Sequence, residues 1–547
     1  QETGYATFNP DFGVGRQDEL TYSNGNLRVR SAATGGNDTT AVSTLPIRGK
    51  IYCEFFLADD GVGAYVGVMK SDTSLTINGI DTTASSDCWL IRGDNEHKAN
   101  GGGGSGTSYG SGAWATGDLI MMAVDIGTGS IWWGKNGTWY AAGNPSTNSN
   151  AAYTNLPSTD DLLVMCGDNY SSETPTIEVN FGQKPFKFPP PNGFQTLNQA
   201  SIRPVKVISR PDRFVGAILY SGSGSTQSIS GLGFKPDLVW VRRRNGNGNH
   251  NIQDSVRGAE YFLQADDNMA QSNSGSRLSS FDDDGFTLTS DNGGNNSSGT
   301  YVGYCWKAGT SFTPTVTGGF SSPSASINTD AGFGIYKLTG ANSQSSFTTG
   351  LNQAADFILA KALGQSYDWG VYHSSYQTSL PSAKYLELNE SAVPSNKGSD
   401  MWEQAGTTIE VHSYAETGSN TDYIYYVWHN VPGLQKFGKY EGNDQSDGPF
   451  IELGFRPAIV WVKNIDANEP WVIYDNKRGP INPNNKGLYA NNNAQENDAS
   501  GRYKDFLSNG FKVRGDSGEQ NDNNTYIYCA WAEAPSFNLY GGNANAR

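Results

Sequence analysis

The sequence is poor in the residues on which reactive and metal-holding chemistry is usually built. Among 547 residues it carries five cysteines (Cys53, Cys88, Cys166, Cys305 and Cys529) and five histidines (His97, His250, His373, His412 and His429). The cysteines are odd in number, far apart and without Cys-x-x-Cys or Cys/His spacing. That disfavours a disulfide framework or zinc knuckle, and buried thiols are expected. The histidines lack ligand spacing, so no metal site and no cofactor is expected. Long apolar runs are missing too. No stretch approaches the ~18 residues that span a bilayer, and "LIMMAVDI" (119–126) reads as a buried strand. Positive charge is scarce: 38 Lys and Arg against 54 Asp and Glu leave a net charge of −16. A nucleic-acid partner calls for a basic face, and none is visible. The only basic cluster, Arg242–Arg244, ends a strand and reads as a solvated strand end.

What is abundant is glycine (67 residues), with Asn, Ser and Thr, and aromatics at 12%. Such a mixture suits many short strands joined by polar turns, so the expected class is all-β. The length implies several domains, because single cores stop growing near ~250–300 residues. Residue 1 is Gln rather than Met, so the chain is expected to be processed or to begin inside a longer protein.

The C-terminal part repeats itself. "FKPDLVWVRRR" (234–244) returns as "FRPAIVWVKN" (455–464), each preceded by Tyr-x-Gly at Tyr220 and Tyr440. Asp254-x-x-Arg257-Gly258 matches Asp475-x-x-Arg478-Gly479, Gly285-Phe286 matches Gly510-Phe511, and Tyr301 with Trp306 matches Tyr526 with Trp531. A more diverged copy lies between them. It has "ADFILAK" (355–361) for the strand, "WGVYH" (369–373) for "WVIYD" (471–475), and Tyr423 with Trp428. His373 there stands at the position of Asp475 and is expected to hydrogen-bond structurally. Three copies of roughly 100 residues are too long for solenoid units and fit β-sandwiches. "LVWV" and "IVWV" read as strands buried on both faces, and the tryptophans at 240, 306, 428, 461 and 531 as core. The Asp-x-x-Arg-Gly pairs read as turns stapled by an Asp–Arg contact, with the glycine at positive φ. The expected segments are 1–200, 208–311, a Gly/Ser/Thr-rich linker at 312–330, 331–435 and 436–547.

Residues 1–200 carry "YVGVMKSD" (65–72), "CWLIRGDNEHKANGG" (88–102), "GDLIMMAVDIGTGSIWWGKNGTWY" (117–140) and "IEVNFGQKPFKFPPPNGF" (177–194). In this order they resemble a SPRY domain, with Asp125, Asn136-Gly137, Asn180-Phe181-Gly182 and Pro185-Phe186 at the motif positions. "KNG" is a tight-turn signal between aromatic-rich strands, and the proline run ends the last strand. The Gly-rich stretch 100–112 is longer than the motif needs. The resemblance implies a concanavalin-like antiparallel sandwich, and with the repeat pattern the expected fold is that sandwich followed by three jelly-roll-like β-sandwich repeats. It also implies a binding site on loops at one end of that sandwich, around 89–98, 100–114 and 134–140. Trp89, Arg92 and Asp94 are its candidates, and Tyr109, Trp114, Trp139 and Tyr140 are the loop aromatics expected to be exposed for stacking. The repeats resemble virion appendage proteins of marine tailed bacteriophages, such as tail fibres, and "GGNANAR" resembles their C-termini, so Arg547 is expected to be a true end.

No catalytic constellation is expected. Glu496-Asn497-Asp498 lacks the third carboxylate of a glycosidase strand, and Ser108 of "GTSYG" lacks a strand–turn–helix context. Asp282-Asp283-Asp284 reads as a solvated turn before a strand, with calcium as the alternative. The leading expectation is a non-enzymatic virion or extracellular protein. It would bind copies of itself, as a trimer in the fibre reading, other virion proteins, and a host glycan or protein, with no nucleic acid and no membrane insertion. A purely structural capsid-decorating or filament subunit is the alternative, and a glycan-degrading enzyme the third.

Overall fold

Short strands, many of them buried on both faces and others with one face exposed, are separated by Gly/Asn turns and build an all-β protein in the computed structural model. It describes residues 4–10, 19–31, 39–71, 73, 85–101, 106–157, 161–168, 174–198, 207–275, 277–340, 342–377, 384–396, 401–412, 414, 420–498 and 501–536. No helix among them is long and apolar enough to cross a membrane. The chain divides into two units, residues 1–205 and 206–537.

Unit 1 contains two antiparallel sheets. The seven-stranded one runs in the order Leu20–Ser23, Arg28–Ser31, Thr176–Asn180, Lys50–Asp59, Leu119–Asp125, Ser130–Lys135 and Thr138–Trp139. The six-stranded one runs Thr39–Pro46, Leu162–Asp168, Ala64–Lys70, Cys88–Arg92, His97–Ala99 and Thr107–Ser108. "KNG" makes the expected hairpin. Asn136 and Gly137 take positive φ (50° and 90°), and Lys135 pairs with Thr138 across them.

In unit 2 each repeat has two sheets, and the strand order recurs. The first repeat's larger sheet runs Val215–Ser221, Thr300–Trp306, Leu238–Arg243, Asn251–Asp254, Gly258–Leu263. The third repeats it as Gln435–Glu441, Thr525–Pro535, Phe455–Asn464, Val472–Asp475, Leu488–Tyr489. The second has the same five places, Phe333–Thr339, Asp422–Trp428, Phe357–Ala362, Gly370–His373 and Lys384–Glu387, inside an eight-stranded sheet. One of its extra strands, Ser321–Asn328, the end of another, Thr310–Phe312, and Val316–Thr317 in the smaller sheet come from the region read as a linker. That region is therefore corrected to structured. Its alternate Ala325 and Ile327 are buried against the second sandwich, which a Ser/Thr-rich composition conceals.

The repeated strand is buried on both faces because two different cores receive it. Leu238 and Trp240, Phe357 and Leu359, and Ile459 and Trp461 enter one cluster shared by all three repeats. Their alternates, Val239 and Val241, Ile358 and Ala360, and Val460 and Val462, face their own smaller sheets. At the centre Trp306, Trp428 and Trp531, one from each repeat, lie edge-to-face in a triangle with centroids 6.0, 5.4 and 6.1 Å apart. The three repeats thus have separate inner cores and one common core. All five cysteines are buried thiols.

Candidate functional site

In unit 1 the three loops expected to form a site are tied together by one buried acid. Glu96, 2% exposed and at positive φ (55°), receives Lys135 Nζ at 2.5 Å and the Tyr140 hydroxyl at 2.9 Å. Trp114 Nε1 donates to that hydroxyl at 3.1 Å. Gly110 closes over the carboxylate, where a Cβ would come 2.4 Å from Glu96 Oε2. Burial, first of all, pushes the Tyr140 phenol well above its ordinary pKa.

Of the predicted residues, Trp89 lies in the strand Cys88–Arg92, buried, with its indole donating to Asn155 at 3.1 Å. Arg92 holds Asp94 through two hydrogen bonds of 3.1 and 2.8 Å. Tyr109 and Trp114 are buried, so the expectation of exposed stacking aromatics is corrected for both. The strand Thr107–Ser108 pairs with His97–Ala99, and Tyr109 after it packs against Trp133 and Tyr140. Trp139 and Tyr140 are half-buried, Trp139 edge-on to Tyr52. The structure therefore brings Tyr109, Trp114 and Tyr140 together, with Arg92–Asp94 and Trp89 separately satisfied. Sequence reasoning missed Glu96, Lys135 and Lys98. Lys98 Nζ donates to the Ala152 carbonyl and lies 4.7 Å from the Tyr153 ring centroid. The one available signal was an acid inside "GDNEHK", which ordinarily reads as solvated. The exposed rim left by this arrangement is small and polar: Thr107, Ser108, Ser111, Asn136 and Thr138. Non-glycine residues at positive φ gather in these segments, Glu96, Asn136, Ala141 and Ala142 among them, and such strain persists where surrounding contacts over-determine it.

In unit 2 the titratable groups singled out by sequence hold the repeats to one another. Arg257 binds Asp254 at 2.5 Å, and Tyr426 of the next repeat donates to the same carboxylate at 2.8 Å. Arg478 binds Asp475, which receives Tyr304 of the first repeat at 2.9 Å. The Asp–Arg staples are thus as expected, but positive φ occurs at Gly258 alone (99°). At Gly479 the need is space, since a Cβ would meet Asn484 Oδ1 at 2.0 Å. In the remaining interface His373 Nε2 pairs with the Tyr528 carbonyl at 3.1 Å, and desolvation lowers its pKa to about 4.

The reading of Arg242 as a solvated strand end is overturned. Arg242 is 0% exposed and donates to the carbonyls of Gly248 and, in the third repeat, Ala494. Lys361 and Lys463 occupy its place in the other copies. They donate to Asn268 (3.0 Å) and Ser391 (3.1 Å) of their neighbours, and burial lowers both to about 8. Arg244 forms two bonds to Glu496 at 2.9 and 3.1 Å, and Asp498 pairs with Lys486 at 2.5 Å, so these carboxylates are ion-paired. Trp369, Trp471 and His250 form a third matching set. They reach the carbonyls of Gln264 (2.8 Å), Glu387 (3.0 Å) and Tyr489 (2.7 Å) in adjacent repeats. Each set links repeat 1 to 2, 2 to 3 and 3 to 1, so the three sandwiches close on themselves. Asp284 accepts from the Gly231 and Gly233 amides at 2.9 and 2.6 Å, in keeping with a turn. Ser108 is exposed and donates to the Gly110 carbonyl at 2.9 Å.

A three-repeat β unit with one shared core is the class that these contacts define. Residues 210–535 match the family described as Domain of unknown function (DUF7483), and the chain belongs to that family. The match takes in all three repeats as one block, as the shared core does. Among solved structures, the chain is similar to the SPRY domain of human HERC1. Identity is 18% over 32% of this chain and 99% of that one, with a TM-score of 0.25. A human SPRY domain structure shows 17% identity over 30% and 98%, TM-score 0.24. The TRIM65 PSpry domain shows 16% over 32% and 92%, TM-score 0.24.

Proposed function

We propose that this chain is a non-enzymatic structural and adhesive protein of a virion surface or extracellular appendage, of the tail-fibre kind. In this reading unit 2 is the scaffold, and the loop end of unit 1 meets a host-surface protein or glycan. The observation that carries it is the locking of chain-distant loops around Glu96. A site held by buried side chains keeps its exposed rim in one geometry, which lowers the ordering cost of binding. Binding on these loops is also what the sequence's resemblance to SPRY domains would imply. Partners would include other virion proteins and further copies of the chain. A purely structural role, as a capsid-decorating or filament subunit, is the second reading. It is favoured by the closure of unit 2 through buried inter-repeat bonds, which suits load-bearing.

The test is binding of the full chain to arrays of host surface polysaccharides and surface-protein peptides, beside a Thr107→Lys/Asn136→Lys variant. Binding that the variant loses by tenfold or more is the expected result. Retained binding in the variant refutes the loop site, and a null result across the arrays transfers support to the second reading. Immunogold labelling then locates the chain on particles.

A further inference from the structure

In the second repeat the strands Trp402–Ala405 and Thr408–Val411 form a hairpin at the edge of the four-stranded sheet. Trp402, Ile409 and Val411 turn into the core. The period of two therefore sends Glu403, Glu410 and then His412 to the opposite face. Glu403 and Glu410 are directly paired across the hairpin. Each of the three residues offers a ligand atom, and these atoms lie within 4.8 Å of one another, all half-buried. Two carboxylates facing each other in register repel. The Gln344 side-chain amide donates to Glu410, but a neutral donor leaves both charges in place. A cation held between them would remove the repulsion, and the imidazole at the same point says which kind. Calcium and magnesium take oxygen ligands, whereas one imidazole nitrogen with two carboxylate oxygens suits a borderline divalent ion such as zinc.

We propose that Glu403, Glu410 and His412 form a zinc site that clips the edge strand Trp402–Ala405 to its neighbour, with a solvent molecule as fourth ligand. The Glu-x-His spacing on one strand with a carboxylate opposite is invisible to a search for helical His-x-x-x-His, because a strand brings i and i+2 to one face. All ligands come from one hairpin with a short turn, so little chain entropy is lost when the ion binds.

The experiment is calorimetric titration of the chelator-stripped full chain with zinc chloride, with magnesium chloride as comparison. The expected result is one equivalent of zinc, no magnesium binding, and at least a tenfold loss of zinc affinity in both His412→Ala and Glu403→Gln. Zinc should raise the thermal midpoint of the wild type by more than that of either variant at the same concentration. X-ray absorption at the zinc edge of the wild-type chain needs no variant, and should show one imidazole with oxygen ligands. Absence of saturable zinc binding, binding unchanged in both variants, or sulfur in the first coordination sphere would each overturn the proposal.

Discussion

The Tyr–Asp–Arg staples between repeats make a quantitative prediction. Tyr426 is 1% exposed and donates its hydroxyl to Asp254 Oδ2 at 2.8 Å. In Tyr426→Phe that oxygen keeps Arg257 Nε at 2.5 Å, and Oδ1 keeps the amides of Val256 and Arg257 at 3.0 and 2.8 Å. Arg257 Nη2 also loses its 3.3 Å bond to the hydroxyl but keeps the Ile252 carbonyl at 2.9 Å, so no charge is orphaned and the cost is chiefly one charge-assisted hydrogen bond, about 1.5–3 kcal/mol. Asp254→Asn differs in kind. It leaves the Arg257 side chain, 1% exposed, without its counter-charge, and breaking a buried pair in this way costs about 3–5 kcal/mol. Tyr304→Phe, acting on Asp475 in another interface, should match Tyr426→Phe, and the double tyrosine variant should be additive within about 0.5 kcal/mol because no partner is shared.

The assay is urea unfolding of the full chain, followed by hydrogen-exchange mass spectrometry. Peptides of 206–537 are thereby read separately from those of 1–205. Exchange in the strands Asn251–Asp254 and Asp422–Trp428 should rise together in Tyr426→Phe, since the bond joins two repeats. A cost below about 0.5 kcal/mol for Tyr426→Phe, or an Asp254→Asn variant milder than it, would refute the staple.

Other perturbations probe the same unit. Lys504, 0% exposed, donates to Gln520 at 2.5 Å, and burial lowers it to about 7. Its unfolded value is higher, so the unfolded chain binds the extra proton above pH 7 and stability falls as pH drops from about 10 to about 7. Lys504→Met should remove up to about 1.4 kcal/mol per pH unit of that slope, seen in urea midpoints at pH 7 and 8.5. Trp306→Ala should cost about 3–5 kcal/mol and raise exchange in the last strands of all three repeats, since Trp306 touches both Trp428 and Trp531. Burial pushes the thiols of Cys53, Cys166, Cys305 and Cys529 up, so native chain at pH 8 should resist Ellman's reagent and denatured chain should release five equivalents. His373 is held neutral in the fold with its pKa at about 4. Stability should therefore fall as pH drops from about 6.5 to 4, and His373→Gln should flatten that limb of the urea profile.

The repeats were legible because the residues that mark them face cores, where a change of size is costly. Even the double burial of "LVWV" could be read, since neither face of the strand carries a polar residue. What covered the second face could not, because the closing contacts end largely on backbone carbonyls, which leave no trace in side-chain identity. Arg242 shows the consequence. Next to Arg243 and Arg244 it looks like surface charge, yet it follows the inward period of Leu238 and Trp240 and ends on Ala494. The same limit hid the site in unit 1. Tyr109 and Trp114 sit among glycines and read as exposed, whereas Glu96, apparently a surface acid, is what they fold around. The third interface carries the most instructive signal. Tyr304 and Tyr426 stand opposite Trp240 and Leu359, and the residue opposite Trp461 is Cys529. A thiol cannot reach across as a phenol does, and in that interface the facing acid is His373 and the arginine position is Tyr376. All three members of the staple differ together: the acid and the arginine must, since losing either alone would leave the other's buried charge unpaired, and without that carboxylate the phenol has no acceptor. The apparent divergence of the second repeat at His373 is therefore half of a paired change, whose other half lies in the third repeat, beyond the reach of any comparison made position by position within one copy.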